Sequence, residues 1–301
     1  MSDALLLLPD FVLIVCGFVI CRYTPLSRPV WDGVERLVYH VLFPALLFNA
    51  IVRNPLALDT ALPLAGVALA VVAAGVLLAS SLRAFAGVDA RLHAAGAQIA
   101  FRFNTYVALA LAERLAGGAG VAWMALLVAV CVPLCNVAAV ALLARHGGHG
   151  YARALLRNPL ILATASGLVF NGLGLRLPEL VGTTLGRMGA AALPLGLMAV
   201  GAGLQLGALR EGPKLAAALL VIRHALLPAL ALGLVVVLAL PTGQQLIVVA
   251  FAAMPTAPSA YVLAVRMGGH AGFTAGLVTL STLIGMLSLP LWLAAARSLV
   301  H

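Results

Sequence analysis

The stretch GAQIAFRFNTY, residues 96–106, interrupts an otherwise apolar run at 92–115 and brings Arg102, Asn104 and Thr105 close together. A charge at membrane depth costs about 2.5–3.5 kcal/mol on insertion scales and persists only where it faces protein or water. A second interruption, MPTAPSAY at 254–261, falls within the apolar run 243–266. Pro255 and Pro258 each remove a backbone donor and obstruct the preceding turn. Carbonyls and amides freed inside a bilayer must find partners or line a wet cavity. The two stretches lie 150 residues apart, with Asn104 matching Met254 in position. Paired interruptions in corresponding parts of two halves point to a transporter's binding site. The alternative is a pair of ordinary kinked helices, because proline is tolerated in membrane helices.

The rest of the chain agrees with a membrane setting. It has 301 residues, 63% of them hydrophobic and 9% charged, with a mean hydropathy of +1.13. Soluble domains are about 45–50% apolar and about 25% charged. That excess excludes a soluble globular enzyme, a disordered chain and a collagen-like fibre, because much of any soluble fold faces water. Long apolar runs without alternation also exclude a membrane β-barrel. Ten apolar segments are read, near 5–22, 34–52, 60–82, 92–115, 119–144, 155–175, 181–208, 214–239, 243–266 and 272–296. Each approaches the roughly 20 residues a spanning helix needs, so the predicted fold is an all-α polytopic membrane protein. The first segment lacks a basic flank and a small-residue cleavage site, and reads as a retained span.

Net charge is +9 and the sequence pI about 10.3. Loop cations placed on the inner side outnumber those on the outer side by ten to four when both termini are set outside, the asymmetry of the positive-inside rule. This accounts for the basicity without nucleic acid. Cys16, Cys21, Cys131 and Cys135 all lie in apolar runs and read as packing residues. His146 and His149, in the glycine-rich link RHGGHGY at 145–151, lack further ligands for a metal site.

The two halves resemble each other. Pro9 and Pro159, Gly17 and Gly167, Pro44 and Pro194, and Gly118 and Gly268 are each offset by 150. Five helices per half make the second half enter from the opposite face, the inverted repeat of secondary transporters. The predicted division is 1–145 and 153–301, joined by a cytoplasmic link at 146–152.

The residues VLFPALLFNAIV at 41–52, RFNTYVALALAERLAG at 102–117, VPLCNV at 132–137, RNPLILATASGLVF at 157–170, LPLGLMAVGAGL at 193–204 and MPTAPSAYVLAVRMGGHAG at 254–272 resemble the auxin efflux carrier family, the bacterial relatives of plant auxin exporters. The resemblance implies ten transmembrane helices with crossed, discontinuous fourth and ninth helices. It also implies transport of organic anions by an elevator-type movement. Helices 1, 2, 6 and 7 would form a scaffold, and helices 3–5 and 8–10 the transport domain. Asn104 and Asn136 would line the site, and Pro255 and Pro258 would mark the ninth-helix break. Many relatives carry a proline where this chain has Ala110, so the fourth helix is expected to be less sharply broken, or broken through Asn104 and Thr105 alone. A multi-pass position in the bacterial inner membrane and a homodimer are further implications.

Taken singly, Arg102 offers a bidentate grip on a carboxylate, or else snorkels to an interface or pairs with Glu113. Thr256 and Ser259 are candidate hydroxyl donors, with bonding to their own helix the alternative. Asn136 binds substrate or the broken backbone, and Thr105 stands beside the first break. Asn49 reads as a helix-end or scaffold residue, and Ser281 and Thr282 are further candidates to approach the site. The nine carboxylates include no adjacent pair at mid-membrane, which argues against a sodium/proton antiporter and a paired-carboxylate hydrolase. His40 and His224 fall in spans and titrate near neutral pH when unperturbed; proton or sodium coupling stays open. No nucleophile–base set, metal set or phosphate loop is found. The expectation is therefore a secondary active transporter of small organic anions, mono- or dicarboxylates such as malonate or malate, or auxin-like acids, with no cofactor and no enzymatic activity. The alternative is a non-transporting membrane sensor or partner-binding protein on the same scaffold.

Overall fold

The computed structural model describes residues 3–54, 58–85, 87–143, 159–204 and 211–299. The histidine-containing link and the arginines at 145, 153, 157 and 210 lie outside these residues. The described secondary structure is helical throughout, in the order α1 (Asp3–Tyr23), α2 (Arg28–Leu37), α3 (Phe43–Arg53), α4 (Leu58–Ser81), α5 (Ala90–Gly96), α6 (Gln98–Phe101), α7 (Thr105–Leu143), α8 (Pro159–Gly172), α9 (Glu179–Ala202), α10 (Pro213–Val221), α11 (Leu227–Val237), α12 (Thr242–Ala253), α13 (Ser259–Arg266) and α14 (Ala271–Leu299). Among the described residues, six stretches are long and apolar enough to cross a membrane: Arg28–Arg53, Ala61–Ala84, Ala90–Leu143, Glu179–Ala202, Pro213–Val237 and Ala271–Leu299. Helices α8 and α12 are apolar but shorter. The chain is a multi-pass helical membrane protein.

Local sequence explains where the helices begin, widen and bend. The Asp89 carboxylate accepts the backbone N–H groups of Arg91 and Leu92 at 2.8 and 2.9 Å, satisfying two orphan donors at the start of α5. Pro44 and Pro228 stand at the start of α3 and α11, each just after a π-helical turn, Val38–Leu42 and Ile222–Leu226. A proline ring obstructs the preceding turn, and a wider turn gives it room. Helix α7 bends at Ala116 and Gly117; the latter has φ 54° and ψ −143°, a conformation open to glycine. That bend falls between the two apolar runs expected at 92–115 and 119–144.

The chain divides into two compact units. The first comprises Met1–Ala65, Tyr106–Ala129 and Tyr151–Gly203. Lipid tails are as apolar as leucine, so helices in a membrane associate by close packing at small residues. Here α1 and α9 meet backbone to backbone. A Cβ added to Gly17 would sit 1.9 Å from the Met198 carbonyl oxygen, and one on Gly201 would sit 1.7 Å from that of Ile14. Helices α8 and α3 meet likewise through Gly167, whose added Cβ would lie 3.2 Å from the Ile51 side chain. Buried Asp10 takes a bidentate grip from Arg114, at 2.6 and 2.7 Å. Glu113, beside it in sequence, is exposed. Asn49 accepts from Arg53 Nε at 3.1 Å, a contact local to the end of α3.

The second unit comprises Gly66–Thr105, Val130–Gly150 and Leu204–His301. Helix α14 packs on α12, α13 and α5. Phe101, Phe251 and Phe273 are among its fully buried side chains. Gly96 is seated against Phe273 and Leu219, and Gly285 against the Pro255 ring.

Candidate functional site

Both sequence interruptions are breaks in helices, and both lie in the second unit. Helix α6 ends at Phe101 and α7 starts at Thr105, leaving residues 102–104 non-helical, with Arg102 extended at φ −75° and ψ 143°. Ala110 is helical and buried. The fourth-segment break therefore forms upstream of that position and needs no proline there. Helix α12 ends at Ala253 and α13 begins at Ser259, with Met254 extended at φ −56° and ψ 142°. The breaks are bonded to each other: Asn104 N–H donates to the Pro255 carbonyl at 2.8 Å.

Unwinding leaves carbonyls short of helical partners, and side chains answer for three of them. In a regular helix the carbonyl of Phe251 takes the N–H four residues on, at Pro255, and that of Met254 takes the N–H at Pro258. Neither proline has one. The Arg223 guanidinium donates to both, Nε to Met254 O at 2.6 Å and Nη2 to Phe251 O at 3.2 Å, the latter shared with the Met254 N–H at 3.4 Å. At the other break, Cys135 Sγ lies 3.4 Å from Phe101 O. Arg223 was not singled out from sequence. An arginine within the apolar run 214–239 is the same signal that marked Arg102, and it would have found it.

Arg102 is 8% exposed. Its Nη1 donates to Ser259 Oγ at 3.2 Å and its Nη2 to Asn136 Oδ1 at 2.8 Å. The guanidinium thus joins the first break, the start of α13 and the C-terminal third of α7. Both of these partners are neutral, a hydroxyl and an amide oxygen. Asn104 is 1% exposed and Thr105, half-buried, opens α7. Thr256 is fully buried: its N–H donates to Ser281 Oγ at 2.9 Å, while its hydroxyl has no hydrogen-bond partner among the described residues. Ser281 Oγ also meets His224 Nε2 at 2.9 Å, and His224 Nδ1 meets Ser288 Oγ at 3.2 Å. Thr282 bonds back to Val278 O within its own helix. His40 contacts Arg36 O, also locally. Gln98, fully buried, ties the two broken segments together a second time through Ala260 O, at 3.1 Å.

The charge balance of the unit is one-sided. Its sequence contains two carboxylates, Asp89 and Glu211, and both are exposed. Asp89 caps α5, and Glu211 pairs with His270 at 3.2 Å. Two guanidinium groups, Arg102 and Arg223, are buried. A buried positive charge without a buried carboxylate leans on carbonyls, hydroxyls and amides, and it favours an arriving anion.

Residues 149–293 match the family described as Membrane transport protein. The chain is also 32% identical over 134 residues to an uncharacterized transporter of Methanothermobacter thermautotrophicus. That alignment covers 44% of this chain and spans 44% of the relative's length. The family match at 149–293 includes α12, the second break and α13, and so covers half of the candidate site.

Proposed function

We propose that this chain is a secondary carrier for small organic anions and that Arg102, at the junction of the two broken helices, takes the substrate's carboxylate. The observation that carries the reading is the buried pair of guanidinium groups in a unit whose carboxylates are both exposed. Arg102 is held by a serine hydroxyl and an asparagine amide. Neutral partners of this kind yield to a carboxylate, which forms shorter and roughly twice stronger charge-assisted bonds. Asn104, Thr105, Asn136, Pro255, Thr256, Pro258 and Ser259 complete the proposed site, as binding groups or as the backbone that shapes it. The similarity to membrane transport proteins supports the same reading.

The architecture we assign is ten helices in two inverted five-helix repeats. Contacts within the first unit support it: α1 meets α9 through Gly17, and α8 meets α3 through Gly167, so glycines 150 residues apart make corresponding contacts. We assign helices 1, 2, 6 and 7 as scaffold and helices 3–5 and 8–10 as the moving, substrate-bearing part of an elevator. Mono- and dicarboxylates such as malonate and malate are the substrates of choice. Uptake of labelled carboxylates into liposomes holding the purified protein tests this. Saturable uptake is expected. No flux for any anion from folded protein would overturn the reading.

A further inference from the structure

Arg223 is 2% exposed and sits on the π-helical turn between α10 and α11. Its two acceptors, Phe251 O and Met254 O, are the two carbonyls whose regular helical donors would be Pro255 and Pro258; Phe251 O also takes the Met254 N–H, at 3.4 Å. They lie at the C-terminal end of α12, where the helix macrodipole leaves about half a negative charge. Burying a lone guanidinium costs several kcal/mol unless geometry and hydrogen bonds compensate. The helix end and the two carbonyls provide that compensation, since the unit has no buried carboxylate to do so.

In broken-helix transporters at large, unwound carbonyls and half-helix C-termini are where a coupling cation binds. That place asks for a positive charge, and it offers carbonyl oxygens as ligands. Arg223 brings the charge and engages the oxygens. We propose that Arg223 is a tethered cation that fills the carbonyl end of the α12–α13 break, so that the carrier takes up its anion without sodium or any other free metal cation. The inference rests on the anion-carrier reading and decides one of the coupling alternatives left open by the sequence. Arg223 acts here as a positioning residue: it holds the unwound segment that leads into Ser259, the partner of Arg102.

The test compares wild-type protein, Arg223→Ala and Arg223→Lys in liposomes with labelled malonate, at equal pH on both sides, in sodium, potassium or choline salts. The wild-type rate is expected to be the same in all three, and a rate that rises with sodium overturns the proposal. Arg223→Ala is expected to lose about 10- to 100-fold in choline, the range for losing a group that supports an ion site. Added sodium or guanidinium ion should restore it. A folded Arg223→Ala rescued by neither overturns the proposal. If Arg223→Ala does not fold, Arg223→Lys decides, because it keeps the tethered charge: sodium-independent uptake supports the proposal, and sodium-dependent uptake overturns it. If the wild type carries none of the anions, the carrier reading fails, and thermal unfolding of detergent-purified protein still decides on Arg223. A midpoint raised by sodium or guanidinium in Arg223→Ala, but not in wild type, supports the tethered cation; equal responses overturn it.

Discussion

Arg102 stands at the point where helix gives way to extended backbone, and its guanidinium spans two other parts of the chain, Ser259 and Asn136. A hydrogen bond to a charged group contributes about 1.5–3 kcal/mol, and each 1.4 kcal/mol is a factor of about ten in affinity. Arg102→Ala should therefore weaken anion uptake by about 10- to 100-fold at these conversions while the protein stays folded, because the side chains it releases are neutral. Arg102→Lys should fall between, since an ammonium lacks the planar fork. Unchanged uptake in Arg102→Ala would remove this residue from the site. The arginine was legible as a functional residue from its cost in an apolar run. Its bonds to Ser259 and Asn136, themselves candidates from the sequence, were not, because those residues lie 157 and 34 positions away in the chain.

At the scale of elements, prolines and glycines set the geometry through different physics. Pro255 and Pro258 act locally, by withholding N–H groups, and so their break could be read from sequence. The break at 102–104 has no proline and forms despite Ala110; there the peptide of Asn104 bonds to Pro255 O in place of its own helix. Glycine acts by close approach. In Gly17→Ala the new methyl would meet the Met198 backbone at 1.9 Å, forcing α1 off α9 at a cost of about 1–3 kcal/mol, as for overpacking. The same change at Gly33, in α2 with nothing within 4 Å of the added Cβ, should be neutral or stabilising by about 0.5–1 kcal/mol. Thermal unfolding of the two variants should separate them, and equal midpoints would refute the packing account. The Asp89 cap makes a pH prediction. Hydrogen bonds from Leu92 and Arg91 N–H hold its carboxyl below the ordinary value of 3.8. A depressed folded-state pKa stabilises above the unfolded value and is lost as pH falls through the folded one. The stability gap between wild type and Asp89→Ala should therefore be constant at neutral pH and close on acidification below the ordinary carboxylate range. A gap that widens on acidification would contradict the cap.

At the scale of the whole molecule, the proposed elevator requires that distances between scaffold and transport-domain helices change during the cycle. Leu180 in the first unit and Leu287 in the second are 80% and 74% exposed, which suits them to spin labels once Cys16, Cys21, Cys131 and Cys135 are replaced by alanine. The distance distribution between the labels should shift when a transported carboxylate is added. A distribution unmoved by an anion that is carried would exclude the elevator. Composition, apolar runs and the positions of the two breaks were determined by the sequence alone, because hydropathy, the cost of a buried charge and the missing proline N–H act whatever the rest of the chain does. Only the tertiary structure decided that the breaks bond to each other, that Arg102 meets Ser259 and Asn136, and that Arg223 donates to the Phe251 and Met254 carbonyls. Those contacts join residues 28 to 157 positions apart, and a partner at that range is chosen by how helices pack, which no local pattern records.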